Sequence, residues 1–285
     1  MFLLLQYQLP ATSANLGAGY DTMGMSLSLS NEFIFSPSQE DFDNSNLIYK
    51  SFKYLFDKEK KECPKVKIEV SENVPIAKGL GSSATCIVGG LMGANVLLGD
   101  KYSKKEILSF ATEIEGHPDN VAPAIYGGLV ISTKVDDEVL FYKVEPSENL
   151  SYIVIVPDYP LKTALARSLV KTEVKLEDAI YNISHSNLIS RAIEKGDIDM
   201  LCKIYGDRLH EPYRKKLIVD FDKYKEIADR RNSAIFISGA GSSMLIISSK
   251  DNKDIYRDLK NVCPSTYKIL ELGAGEGVKI IGKDF

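Results

Sequence analysis

Apolar and polar residues alternate with strand-like period in the first half of the chain, and helix-like spacing separates the alternating runs. Alternation or β-type clustering covers Leu3 to Pro10, Ser26 to Phe35, Val66 to Val70, Leu129 to Thr133 and Val139 to Val144. Helical spacing covers Leu47 to Phe56, Ser83 to Leu98 and Lys104 to Glu115. From Glu145 to Leu150 the sequence turns polar, and Tyr152-Ile-Val-Ile-Val156 then opens a new buried strand followed by Pro157 and Pro160. This pattern predicts two domains, residues 1–150 and 151–285. In the second half, helices are expected at Leu176 to Lys195, Ile198 to Leu209, Lys223 to Arg231 and Lys253 to Asn261. Strands are expected at Ala234 to Ile237, Met244 to Ile247, Tyr267 to Leu272 and Val278 to Ile281, with Gly273-Ala-Gly-Glu-Gly277 as a hairpin loop between the last two. The fold class is α+β, with strands and helices segregated into layers.

Composition narrows the function. With 285 residues, 44% hydrophobic and 26% charged, the chain is long enough for two modest globular domains. Lys+Arg 35 against Asp+Glu 39 gives a net charge of −4 with no long block of either sign, so no nucleic-acid or membrane footprint is expected and anionic ligands must be held by local groups. Cys63, Cys86, Cys202 and Cys263 form no C-x-x-C pair and have no His partner at metal spacing, which fits buried thiols in a reducing, cytoplasmic compartment. The apolar start Phe2-Leu3-Leu4-Leu5 has no basic flank and reads as the first strand, not as a signal peptide.

The chemistry concentrates in a few loops. Pro75-Ile-Ala-Lys-Gly-Leu-Gly-Ser-Ser-Ala84 joins a strand to a long apolar helix. Gly79 and Gly81 let the main chain pass close to an anion, and the first N–H groups of the helix point at the same place. Ser82 and Ser83 are suited to cap that helix, and a serine hydroxyl there can ligate a phosphate-bound Mg²⁺. The frame lacks the closing Gly-Lys-Ser/Thr of a Walker loop. A second loop, Leu9 to Gly24, places Asn15 and Asp21 either to aim an amide and a carboxylate into a cleft or to close turns through the backbone. In Glu113-Ile-Glu115-Gly116-His117-Pro118-Asp119-Asn120, one helix ends at Gly116 and another begins. Glu113 can complete a Mg²⁺ site with Ser83, and Asp119 and Asn120 can sit beside an attacking hydroxyl; a helix cap with a solvated acidic turn is the alternative. Arg167 in Thr163-Ala-Leu-Ala-Arg167 and Arg214 in Glu211-Pro-Tyr-Arg214 are candidate forks for a small carboxylate, or simply solvated charges. Ile237-Ser-Gly-Ala-Gly-Ser-Ser243 is a further glycine loop able to approach a ligand.

Taken in order, Pro-Ala-Thr-Ser-Ala-Asn-Leu-Gly with Gly-Tyr-Asp, Gly-Leu-Gly-Ser-Ser-Ala, and Glu-Gly-His-Pro-Asp-Asn-Val-Ala-Pro-Ala resemble the homoserine kinase family of the GHMP small-molecule kinases. Thr-Ala-x-Ala-Arg and Leu-His-Glu-Pro-Tyr-Arg extend the likeness over nearly the whole chain. The third motif departs from the family pattern, with Ser242 where proline is usual, at some cost in loop rigidity. The resemblance implies an N-terminal domain like the second domain of ribosomal protein S5, a ferredoxin-like C-terminal domain and an active site between them. It implies ATP and Mg²⁺ as co-substrate and metal, L-homoserine as acceptor, and O-phospho-L-homoserine on the way to threonine as product; a homodimer is compatible with it. It assigns Pro75, Lys78, Gly79, Leu80, Gly81, Ser82, Ser83 and Ala84 to the phosphate loop, Asn46 to the nucleotide, and Ser83 with Glu113 to the metal. Homoserine falls to Asn15, Asp21, His117, Asn120, Thr163, Arg167, Arg214 and Gly239, with the arginines on its carboxylate and Asp21 on its ammonium. Asp119, Asn120 and His117 stand beside the transferred group. A mevalonate-type sibling kinase and a non-catalytic sensor of the same fold are the competing readings.

Overall fold

A computed structural model describes residues 4–40, 43 and 45–284; Phe2 and Leu3 of the expected first strand lie outside them. Strand β1 (Leu4–Ala14) begins as a half-buried strand, with Leu5, Tyr7 and Leu9 inward. It does not stop at Pro10 as expected. The register shifts between Pro10 and Thr12, a bulge that accommodates the proline, and the strand runs on to Ala14. Ala11, Thr12, Ser13 and Ala14 are all buried there, so their small size reflects a strand covered on both faces. Strand β2 (Met23–Pro37) starts earlier than the pattern suggested, which leaves only residues 15–22 as loop.

Helix α1 (Leu47–Lys58), strand β3 (Val66–Ser71), helices α2 (Ser82–Leu97), α3 (Lys104–Glu115) and α4 (Val121–Tyr126), and strands β4 (Leu129–Val135) and β5 (Glu138–Val144) complete the first half. Helix α2 is buried almost all round, as an apolar helix without a polar stripe must be. Helix α3 starts in a capping box between Ser103 and Glu106. Strand β6 (Leu150–Val156) opens the second half, followed by helices α5 (Thr163–Ser168), α6 (Leu176–Lys195) and α7 (Ile198–Ile204). Helix α7 ends five residues short of the expected Leu209, because Asp207 accepts the N–H groups of Leu209, His210 and Glu211 and turns the chain into the short helix α8 (Glu211–Arg214). Helix α9 (Phe221–Arg230), strands β7 (Ala234–Ile237) and β8 (Met244–Ser249), helix α10 (Asp254–Val262), and strands β9 (Lys268–Leu272) and β10 (Lys279–Asp284) follow.

Two antiparallel sheets result, ordered β10-β1-β2-β4-β5 with β3 on β2, and β7-β8-β6-β9. Residues 273–277 are therefore not a hairpin: β9 pairs with β6 in the second sheet, whereas β10 pairs with β1 in the first. The segment crosses between sheets, bridging Leu27 to Ala274 and Gly127 to Glu276. A Cβ on Gly275 would lie 2.4 Å from the Leu27 carbonyl oxygen, so the glycine serves close approach and not a turn. A division at residue 150 separates the sheets except for this returning strand. One buried cluster also runs through both halves, joining Leu16, Met23 and Leu129 to Tyr152, Ile189 and Phe236.

Candidate active site

The phosphate-type loop is clamped from two sides. The N–H of Thr12 in β1 donates to the Leu80 carbonyl at 3.1 Å, and the Ser243 N–H donates to the Lys78 carbonyl at 3.0 Å. Ser238 Oγ donates to the Gly79 carbonyl at 2.7 Å. Gly79 has φ +79°, and a Cβ there would lie 2.2 Å from the Ser238 carbonyl oxygen. The third glycine loop thus packs directly on the first, and Ser242, the departure from proline, donates its hydroxyl to the Tyr159 carbonyl at 2.8 Å.

Ser82 and Ser83 do not cap α2. The N-cap is Gly81, left-handed at φ 69° and with no side-chain cap, so both serines fall inside the first helical turn. The helix start is therefore open main chain, carrying the positive end of the helix dipole. Ser83 Oγ donates to Glu115 Oε2 at 2.8 Å, and not to Glu113. Two residues apart on α3, these carboxylates lie about 200° from each other around the helix axis. Glu113 is turned to Tyr54, whose hydroxyl donates to it at 2.7 Å. Glu115 was not among the expected site residues; the available signal was that it continues the stripe of Ile107, Leu108, Ala111 and Thr112 on the buried face of α3, which Glu113 does not. Burial raises its carboxyl pKa, against the opposing pull of the Ser83 hydrogen bond and of His117.

A cleft of about 430 Å³ runs from this helix start to the charged loops. Its apolar end is walled by Leu47, Ile48, Val70, Ile76 and Cys86, none of them anticipated. Asn46 is not part of that wall: its Oδ1 accepts the Ile48 N–H at 2.8 Å, so it caps α1. Pro75, Lys78, Leu80 and Ala84 also stay off the lining; Leu80 and Ala84 are buried in the core and hold the loop from behind.

The other end gathers Asn15, His117, Asp119, Asn120, Thr163, Arg167, Arg214 and Gly239, from five separate segments. Asn15, left-handed at φ 68°, accepts the Asp21 N–H at 2.9 Å and donates to the Gly239 carbonyl at 2.9 Å, so it closes its own turn and also ties that turn to the third loop. Thr12 Oγ1 donates to Asn120 Oδ1 at 2.8 Å, which orients the amide. His117 Nδ1 is hydrogen-bonded to Asp119 Oδ1, and this bond raises the His117 pKa above its ordinary 6.5 against the effect of burial. The other Asp119 oxygen is buried without a protein partner. Asp21, His117 and Asp119 present ligand atoms within 4.8 Å of one another.

Arg167 and Asp21, expected on opposite ends of a zwitterion, bind each other here through two hydrogen bonds of 2.8 and 2.9 Å. Arg214 is different. Its side chain is 1% exposed, yet its bonds go to the Gly239 carbonyl at 3.1 Å, the Ala166 carbonyl at 3.4 Å and the Tyr20 hydroxyl at 3.4 Å. Burial lowers its pKa. A buried guanidinium hydrogen-bonded to no carboxylate among the described residues, at the wall of a cleft, can receive an anion there.

One cleft therefore holds a glycine loop with an open helix start, a hydroxyl–carboxylate pair of hard oxygens and a mixed acid and guanidinium pocket. Residues 46–128 match the family model described as GHMP kinases N terminal domain, which gives the class. A homoserine kinase of Clostridium beijerinckii is 40% identical over 263 residues, 88% of each chain. One of Clostridium botulinum is 36% identical over 269 residues, 90% of this chain and 91% of its own. On these grounds the chain belongs to the homoserine kinase family. A solved homoserine kinase from Cytophaga hutchinsonii superposes with a TM-score of 0.85 at 24% identity, covering 98% of this chain and 97% of its own. Mevalonate diphosphate decarboxylase from Staphylococcus aureus gives 0.74 at 15% identity and 99% coverage of both chains, so the two-sheet fold extends beyond the family. Among the described residues, no helix is long and apolar enough to cross a membrane.

Proposed function

We propose that the protein transfers the γ-phosphoryl group of ATP to the side-chain hydroxyl of L-homoserine, giving O-phospho-L-homoserine and ADP for threonine biosynthesis. The observation that carries the reading is the buried Arg214 guanidinium, which shares one cleft with the glycine cradle and the Asp21–His117–Asp119 cluster. An amino acid supplies the carboxylate for Arg214 and the ammonium for the acids and turns its hydroxyl toward a phosphate held on the cradle; a mevalonate-type acceptor has no ammonium for the acids.

ATP lies with its phosphates on the main-chain amides at the start of α2 and its base toward Leu47, Ile48, Val70 and Ile76. Ser83 and Glu115 are the residues that would hold Mg²⁺, because a hydroxyl and a carboxylate in mutual contact are the hard oxygen donors it takes beside phosphate. When bound, the ion supplies neutralisation of phosphate charge. Asn120 orients the acceptor hydroxyl. Its proton passes to Asp119 as the oxygen forms its bond to the γ-phosphorus and the bond to the ADP oxygen breaks, and the hydrogen bond from His117 Nδ1 to Oδ1 fixes how Asp119 is oriented. Catalysis rests mainly on positioning and charge neutralisation, since the transition state of phosphoryl transfer is loose.

The test is to incubate the purified protein with ATP and Mg²⁺ and, separately, L-homoserine, mevalonate, L-threonine and L-serine, with phosphorus NMR of the products. A phosphomonoester on homoserine is the expected result; preferential phosphorylation of mevalonate would overturn the substrate assignment.

A further inference from the structure

Tyr20, half-buried in the turn between β1 and β2, is not one of the residues that line the cleft. Three charged or titratable groups from the second half of the chain nevertheless converge on its ring. The Arg214 guanidinium carbon sits over the ring 4.8 Å from its centroid, and that of Arg167 sits 5.7 Å away. The imidazole of His210 stacks on it at 5.0 Å with an interplanar angle of 21°. The Tyr20 hydroxyl accepts from Arg214 Nη2 at 3.4 Å. His210 is itself fixed, fully buried and with Nε2 2.9 Å from the Gly17 carbonyl oxygen, and burial lowers its pKa, so the ring beneath adds packing without a third positive charge.

Two guanidinium groups at one small pocket repel each other, and the fold stabilises them in different ways. Arg167 has its Nη1 and Nη2 on the two oxygens of Asp21, the residue next to Tyr20. A carboxylate placed so on Arg214 would compete with the carboxylate of a ligand. The negative face of an aromatic ring stabilises a cation without taking up its remaining N–H donors. We propose that Tyr20 is a positioning residue that holds Arg214 for the substrate carboxylate, and so sets selectivity for an amino acid over an amino alcohol. This inference rests on the reading of Arg214 as the carboxylate site.

The experiment compares kcat and KM for L-homoserine with those for 3-aminopropan-1-ol, the same skeleton without the carboxylate, in the wild-type protein, Tyr20→Leu and Tyr20→Phe. In Tyr20→Leu, KM for L-homoserine rises about tenfold or more while kcat stays within about threefold, and KM for ATP and the efficiency with 3-aminopropan-1-ol are unchanged. Tyr20→Phe, which keeps the ring, stays within about threefold of wild type. Equal losses on both acceptors, or no loss on homoserine, would overturn the role of Tyr20 alone. A wild-type protein that does not prefer homoserine to 3-aminopropan-1-ol would overturn the carboxylate reading and this inference together. Should Tyr20→Leu fail to fold, replacement of Tyr20 by phenylalanines of increasing ring fluorination keeps the shape while weakening the ring face: KM for homoserine climbs along the series, and a flat series sinks the proposal.

Discussion

The two ends of the cleft are made of different material. The end proposed for phosphate is main chain: Gly79 and Gly81 in left-handed conformations, an uncapped helix start, and carbonyls of the first loop bonded to a strand and to the third glycine loop. The end proposed for the acceptor is side chains from both halves of the chain, with Asp21 bonded to Arg167 and Tyr20 to Arg214. A main-chain cradle suits a phosphate chain common to many reactions, whereas only side chains distinguish one small alcohol from another. The contrast predicts that substitutions at the acceptor end change turnover and selectivity within an intact fold, and that substitutions at the phosphate end damage the fold itself.

The largest effect on turnover is expected from Asp119→Asn, which keeps the shape and removes the carboxylate proposed to accept the proton: kcat falls by about 10²–10⁴-fold while circular dichroism shows the protein still folded. A greater loss would mean that the positioning-dominated account is wrong. At the other end, Gly79→Ala introduces a Cβ 2.2 Å from one main-chain oxygen and 2.7 Å from another, at positive φ. It should destabilise the protein by about 3 kcal/mol or more, read by urea denaturation; a variant of native stability would show the clamp between the glycine loops to be loose. The pair Glu115→Gln and Glu113→Gln sharpens the metal assignment. The first should raise the Mg²⁺ concentration for half-maximal rate by about tenfold, and the second should leave it within about twofold, since Glu113 faces Tyr54. Equal effects would restore Glu113 to the site.

The smallest effect concerns pH. His117 is raised above its ordinary 6.5 in the folded protein, first by its hydrogen bond to Asp119. It therefore binds protons more tightly folded than unfolded. Its contribution to stability is full below about pH 6.5 and fades as pH rises through its higher folded value. Denaturation midpoints across pH 5.5–9 should show this component in the wild type and lose it in His117→Asn. An unchanged profile in the variant would remove His117 from the balance.

How much of this was legible without coordinates follows from the same contrast. The strand-to-helix order, the glycine loop before α2 and the acidic turn at Glu113 to Asn120 stand in the sequence, because hydrophobic period and glycine placement are local signals. The continuation of β1 past Pro10 was not legible, since a fully buried strand of small residues has no alternation to display. Neither was the crossing at residues 273–277: two apolar runs separated by glycines read alike whether they pair with each other or with different sheets, and only the partners β6 and β1 decide. Ser82 and Ser83 carried the composition of caps, but the left-handed turn at Gly81 moved both into the helix.

The sequence by itself determined the residue types a phosphate site and a zwitterion pocket require, and the order of elements that carries them. Tertiary structure alone chose Glu115 over Glu113, set Asp21 against Arg167, and gathered Arg167, Arg214 and His210 around Tyr20. The reason is physical: a loop's conformation follows from its own backbone, whereas a charge's partner is decided by which distant element packs beside it and excludes water there.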